Sequence, residues 1–205
     1  MTRKRVAVLI SGRGSNMMAL IEAAKAKDYP AEIVLVLSNL PVAGGLARAQ
    51  QAGIATVVID HRPFGQDREA FERALDDELR RHRVDLVCLA GFMRLLTPWF
   101  IGRWRERLLN IHPALLPQFK GLHTHRRALE AGVDRHGATV HFVVEETDSG
   151  PVIAQQSVPV LQGDTAETLA ARVLEAEHRL YPQALRLVAE GRATFSPNRN
   201  PASAR

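Results

Sequence analysis

Short apolar runs alternate with amphipathic, charge-bearing segments along the first half of this chain, and that alternation leaves few folds open. Residues 5–11 carry a continuous apolar run, the pattern of a strand buried on both faces. Comparable runs at 32–38, 55–60, 84–90 and 108–111 predict four more strands. Helices are predicted between them over 15–27, 46–52 (closed by Gly53) and 68–83. In the last, Phe71, Leu75 and Leu79 mark one face and charges fill the other. Thr97 as cap with Pro98 in the first helical position opens a further helix to about residue 105. Strands alternating with helices predict an α/β protein with a doubly wound, mostly parallel sheet.

The texture changes after residue 112. A Pro- and Leu-containing loop covers 113–121, and a short helix over 124–131 ends at Gly132. Strands over 138–145 and 152–160 flank Glu146-Thr147-Asp148-Ser149-Gly150-Pro151 and are expected to pair antiparallel. A long C-terminal helix over 165–190 should be perturbed at Pro182. No internal repeat and no dividing linker is evident, so a single domain over 1–195 is expected, with a flexible tail over 196–205.

At 205 residues with 46% hydrophobic and 24% charged side chains, fibrous and wholly disordered classes are excluded. The net charge of +5 suggests a nucleic-acid partner, but its distribution does not. Arg3, Lys4 and Arg5 begin the chain, and Arg192, Arg199 and Arg205 end it. Without those six, 21 Lys+Arg face 22 Asp+Glu. Cys88 is the only cysteine, so no intrachain disulfide can form. Residues 6–10 are too short for a signal-peptide core, and no run approaches a spanning helix. A cytoplasmic protein without nucleic-acid or membrane partner is the expectation.

Ser11-Gly12-Arg13-Gly14-Ser15-Asn16 joins the first strand to the first helix. Backbone N–H groups at such a helix start suit an anion, usually a phosphate. A dinucleotide fingerprint requires glycine at 17, which is Met, and an acid near the end of the second strand, where Ser38-Asn39 stands. The Gly-Lys-Ser/Thr of a triphosphate loop is absent. A single phosphate on a small molecule remains, beside the plainer alternative of a tight turn capped by Ser15 or Asn16.

Asn110-Ile111-His112-Pro113 ends the fifth strand, at the edge where open α/β sheets bind ligands. Strand alternation points Asn110 and His112 to one side. The first offers an amide to a developing oxyanion and the second an imidazole for proton transfer. Polar residues capping a strand end are the alternative. Asp148 lies in the loop between the last two strands; beside His112 it would favour the imidazolium, and otherwise it is a turn aspartate. His123 and His125, spaced i,i+2 without a third ligand, make a weak metal site, and no metal is expected. His61, His82 and His136 read as solvated, and His141 as a packed strand residue. No HExxH, CxxC or Gly-x-Ser-x-Gly motif is present.

These segments together resemble the phosphoribosylglycinamide formyltransferases, a folate-dependent family of purine synthesis. The resemblance runs through Ser11–Asn16, Leu89-Ala90-Gly91-Phe92-Met93-Arg94, Leu109-Asn110-Ile111-His112-Pro113-Ala114-Leu115-Leu116-Pro117, Gly121-Leu122-His123-Thr124-His125, Asp148-Ser149-Gly150-Pro151-Val152 and Glu177-His178 before Tyr181-Pro182. It covers about residues 5–195. It implies a Rossmann-like formyltransferase fold, and transfer of the formyl group of the co-substrate 10-formyltetrahydrofolate to glycinamide ribonucleotide. It implies that Asn110, His112 and Asp148 are catalytic. Gly14, Ser15, Asn16, Pro113 and Glu177 would hold the ribonucleotide. Arg68, Met93, Arg94, Leu95, Leu96, Asn110, Val144, Glu145, Glu146, Thr147 and Asp148 would hold the folate. Arg13 departs from the best-known bacterial members, which have Asn between the glycines. Monomer and homodimer both stay open.

Relatives with the same core hydrolyse formyltetrahydrofolate or formylate methionyl-tRNA. By resemblance these carry an extra N-terminal or C-terminal domain, for which the length is expected to leave no room. A non-catalytic phosphometabolite- or folate-binding module would keep the glycine turn but has no need of the Asn110, His112 and Asp148 set.

Overall fold

The computed structural model describes residues 2–196. Seven strands form one mixed sheet: β1 (Lys4–Ile10), β2 (Ala31–Ser38), β3 (Thr56–Val58), β4 (Leu86–Leu89), β5 (Leu108–His112), β6 (Arg135–Phe142) and β7 (Val152–Pro159). Their order is β3-β2-β1-β4-β5-β6-β7. The helices are α1 (Ser15–Ala24), α2 (Gly44–Gln51), α3 (Arg68–Arg81), α4 (Pro98–Arg103), α5 (Thr124–Glu130) and α6 (Ala166–Ala189). The expected α/β class, the antiparallel C-terminal strands and the long final helix are all present. The chain divides into two compact units between Leu109 and Asn110. The predicted tail, Ser196 excepted, lies outside the described residues.

In the first unit β1 pairs parallel with β2 on one side and β4 on the other, and β2 pairs parallel with β3. Val6 to Ile10 of β1 are wholly buried, as a strand covered on both faces requires. Each such Val, Leu or Ile contributes roughly 1.5–3 kcal/mol of burial. Helix α1 adds Met17, Leu20 and Ile21 to this core. It stops at Ala24, before the predicted residue 27, with Lys25 as its cap. Helix α3 starts where the Asp67 carboxylate accepts from the Ala70 N–H at 2.9 Å, and it buries Phe71, Leu75 and Leu79 at fourfold spacing. Its Asp76 accepts from the Trp104 indole at 3.0 Å, and its Glu72 accepts from the Thr97 N–H at 2.7 Å and from the Thr97 hydroxyl. These buried carboxylates tie α3 to both ends of α4. A 3-10 turn at Arg62–Phe64, around Pro63, was not predicted.

In the second unit β6 and β7 pair antiparallel, and α6 packs on both. A capping box between Thr165 and Thr168 opens α6, which continues through Pro182. Strand β6 starts at Arg135, three residues before the predicted start, and ends at Phe142. Gly137 admits the Gln156 carbonyl, which a Cβ would meet at 2.1 Å.

The early start corrects one expectation, since His136 is on the strand and only 1% exposed. Its ring meets Phe119 and His125 edge-on, with centroids 5.7 and 5.2 Å apart. Burial, reinforced by His125, pushes the His136 ring down to about 4 from 6.5, against the pull of the Pro113 backbone. Between those values the unfolded chain binds more protons than the folded one. Stability therefore falls as pH drops through that window. In His136→Leu, denaturation midpoints measured across the window should lose part of this slope; an unchanged slope would contradict the assignment.

Candidate active site

The first unit reverses its strand order at β1 and β4, where ligands of open α/β sheets bind. Two segments leave the carboxyl ends of these adjacent strands. The first is the glycine turn. Gly14 caps α1 in the left-handed conformation at φ 70°, without a side-chain capping bond, so Ser15 and Asn16 are the first helical residues rather than caps. Gly45 packs against the turn: its N–H donates to the Gly12 carbonyl at 3.0 Å, and a Cβ on Gly14 would lie 3.0 Å from the Gly45 Cα. Arg13 is exposed, and its carbonyl accepts from Arg48 at 3.2 Å.

The second segment is the loop after β4, which exposes Met93 and Leu95. Ser11 joins the two. Its N–H donates to the Gly91 carbonyl at 3.1 Å, and its hydroxyl accepts from the Met93 N–H at 2.8 Å while donating to Asn39 Oδ1 at 2.6 Å. His61 Nδ1 lies 3.2 Å from Asn39 Nδ2 and 3.0 Å from the Asn39 carbonyl, so His61 belongs to this network and is half-buried, not solvated. Arg94 stacks over the Phe71 ring at 5.8 Å, and Arg68 is the exposed first residue of α3.

The second unit holds the predicted Asn110, His112 and Asp148. His112 Nδ1 lies 3.3 Å from Asp148 Oδ2, with both side chains less than 10% exposed. His112 Nε2 faces the Phe119 carbonyl at 3.0 Å. Both ring nitrogens thus meet acceptors, an arrangement satisfied in full by the doubly protonated ring. The Gly121 N–H donates to Asp148 Oδ2 at 2.9 Å. Two backbone groups of the loop after His112 therefore engage the pair. Lys120 reinforces that loop through Glu146 at 2.9 Å and the Ser149 hydroxyl, and its ammonium holds the Glu146 carboxyl below the usual range.

Asp148 itself has φ 51°, in the left-handed region that Asp and Asn tolerate better than most residues. Gly150 follows two residues later because a Cβ there would sit 1.7 Å from the Phe142 carbonyl. Pro113 directly follows His112, and its carbonyl accepts from the Thr124 hydroxyl at 2.7 Å. Glu177 is buried on α6. Val144 is half-buried, and Glu145, Glu146 and Thr147 are exposed on the segment leading to Asp148.

A residue absent from the predicted set lies near both Asn110 and Asp148. His141 Nε2 lies 3.2 Å from Asn110 Nδ2 and 3.8 Å from Asp148 Oδ1. It is the packed strand residue that its alternation predicts, but its ring edge faces the polar cluster. The only signal was a histidine flanked by Val140 and Phe142 on a buried strand.

Residues 4–185 match the family model described as formyl transferase. The chain belongs to the formyl transferase family. The chain is 48% identical over 193 residues to the phosphoribosylglycinamide formyltransferase of Escherichia coli, covering 94% of this chain and 91% of that protein. It is 50% identical to the trifunctional purine biosynthetic protein adenosine-3 of Bos taurus, covering 96% of this chain, and it spans about a fifth (19%) of that relative's length. The crystal structure of phosphoribosylglycinamide formyltransferase from Brucella melitensis matches at TM-score 0.89 and 56% identity, covering 95% of this chain and all of that one. Among the described residues, no group of three or more His, Cys, Asp and Glu is arranged to hold a metal ion. No described helix is long and apolar enough to cross a membrane.

Proposed function

We propose that this chain transfers the formyl group of 10-formyltetrahydrofolate to the amine of glycinamide ribonucleotide, giving the N-formyl ribonucleotide and tetrahydrofolate. The observation that carries the reading is the buried His112–Asp148 contact at 3.3 Å. An imidazole pinned by a carboxylate on one nitrogen is free to serve a reacting group with the other.

In this reading the ribonucleotide amine attacks the formyl carbon, and negative charge builds on the formyl oxygen. The Asn110 amide and the His112 Nε2–H stabilise that charge once the substrate replaces the Phe119 carbonyl at Nε2. One proton leaves the attacking amine and one reaches the departing folate nitrogen, with Asp148 keeping the ring charged. No metal takes part. Gly14, Ser15 and Asn16 take the phosphate, with Pro113 and Glu177 contributing to the ribonucleotide. Arg68, residues 93–96 and residues 144–148 contact the folate. Much of the acceleration comes from holding two substrates in register. The reading includes a cytoplasmic protein, monomeric or homodimeric, that binds no nucleic acid.

The test follows loss of the formyl group from 10-formyltetrahydrofolate by absorbance. Tetrahydrofolate release should require added glycinamide ribonucleotide; release with water alone would make the protein a hydrolase instead. For the phosphate turn, Asn16→Ala should raise KM for the ribonucleotide about 10- to 100-fold, the loss of roughly 1.5–3 kcal/mol from one hydrogen bond to a charged group. Its kcat should stay within about threefold on the same scale. A lowered kcat at unchanged KM would remove Asn16 from the phosphate site.

A further inference from the structure

His141 sits at the one register irregularity of the β6–β7 ladder, between Val140 and its own position, and is 2% exposed. Its two ring nitrogens have partners of opposite kind. Nδ1 lies 2.9 Å from the Phe142 carbonyl, which can only accept. Nδ1 therefore carries the proton. Nε2 lies 3.2 Å from the Asn110 side-chain nitrogen, which can only donate. Nε2 therefore offers a lone pair.

We propose that His141, locked as its neutral Nδ1–H tautomer, is a positioning residue that fixes the Asn110 amide with its nitrogen inward, so that the second N–H of that amide is the donor presented to the reaction. This rests on the functional reading above. The reverse orientation would set the Asn110 oxygen against the His141 lone pair, two acceptors facing each other. The order runs in one direction: the Phe142 carbonyl sets the ring, and the ring sets the amide. Gly150 completes the frame, since only a residue without a Cβ can pack against that carbonyl.

The same tautomer protects the catalytic pair. Asp148 and His112 are the charged groups that bear on the ring. A proton on Nε2 would turn His141 into a donor 3.8 Å from Asp148 Oδ1, in competition with His112 for the carboxylate, and would expel the Asn110 N–H. Burial opposes that proton and pushes the ring below the usual histidine value, and His112 adds to the effect. The Phe142 backbone and Asp148 pull the other way.

Two measurements on the full chain test this. In protein with 15N-labelled histidine, long-range proton–nitrogen spectra should show His141 protonated at Nδ1 only, without titration through neutral pH. One Asn110 side-chain proton should be shifted by its bond to the ring. An Nε2–H tautomer, or an Asn110 amide that His141→Leu leaves unmoved, overturns the proposal whether or not the enzyme transfers formyl groups. In kinetics, His141→Leu should lower kcat about 100-fold with KM for both substrates near normal. His141→Gln, whose Oε1 can accept from Asn110, should recover most of that loss, where a merely structural role would show no such rescue. In an Asn110→Ala background, His141→Leu should cost little more, because both changes remove one device. Fully additive losses overturn it. If His141→Leu does not fold, the spectra of the parent and the Gln variant still decide. Failure of the parent to transfer formyl groups would sink the functional reading alone.

Discussion

His112→Ala lowers kcat by roughly 10²–10⁴-fold while KM for the ribonucleotide and for the folate changes little; that is the largest effect expected in this protein. The ring touches Asp148 through Nδ1 and the Phe119 carbonyl through Nε2, and it is 5% exposed. It occupies little of the surface that would grip either substrate. In the proposed function its contribution is a proton and a charge at the reacting atoms, and such groups act on the transition state more than on binding. Steady-state kinetics with both substrates varied, together with a thermal melt, separates this from misfolding. A folded variant with a near-normal kcat would remove His112 from the chemistry.

Asp148→Asn comes next, with an expected fall in kcat of about 10²–10³-fold and no larger than that of His112→Ala, since the carboxylate acts through the imidazole. The substitution is a clean one here. Asn tolerates the left-handed backbone that Asp148 adopts, so the loop need not move. Its amide oxygen can still accept from the Gly121 N–H, now made at 2.9 Å by Oδ2. What is lost is the negative charge beside His112 Nδ1. If the variant folds and turns over at a rate near the parent's, the charge is not needed and the ring works without it. A large rise in KM with kcat unchanged would instead mark Asp148 as a binding residue.

The two effects should not add. Once the imidazole is gone, the carboxylate has nothing to hold, so the double variant should be close to His112→Ala alone. The loop after His112 gives a further handle on this pair, because Phe119 and Gly121 contact it through backbone atoms that side-chain substitution leaves in place.

Much of this was legible in one dimension. The buried β1 run, the spacing of Phe71, Leu75 and Leu79, and Thr97-Pro98 before α4 each encode an element through local sterics and burial. The glycine turn was legible for the same reason, since Gly14 at φ 70° meets a backbone requirement carried by the residue itself. Ends were less secure. Strand β6 extends to Arg135 because Pro159, Val158 and Ser157 of β7 lie opposite Arg135, His136 and Gly137, and the sequence around Gly137 carries no sign of that partner.

Residue types at strand and loop positions determined by themselves the α/β order, the glycine turn, and the candidates Asn110, His112 and Asp148. Only the tertiary structure decided which histidines meet them. His136 and His141 both lie on β6, five residues apart, and periodicity reports only how deeply each is buried. Whether a buried ring faces a neighbouring histidine and phenylalanine, as His136 does, or an amide and a carboxylate, as His141 does, depends on the element opposite it. Asn110 and His141 are 31 residues apart, and His112 and Phe119 are joined by a backbone carbonyl that no side-chain pattern encodes. Contacts of this kind are fixed by strand pairing and loop closure over long separations, and those are properties of the folded chain.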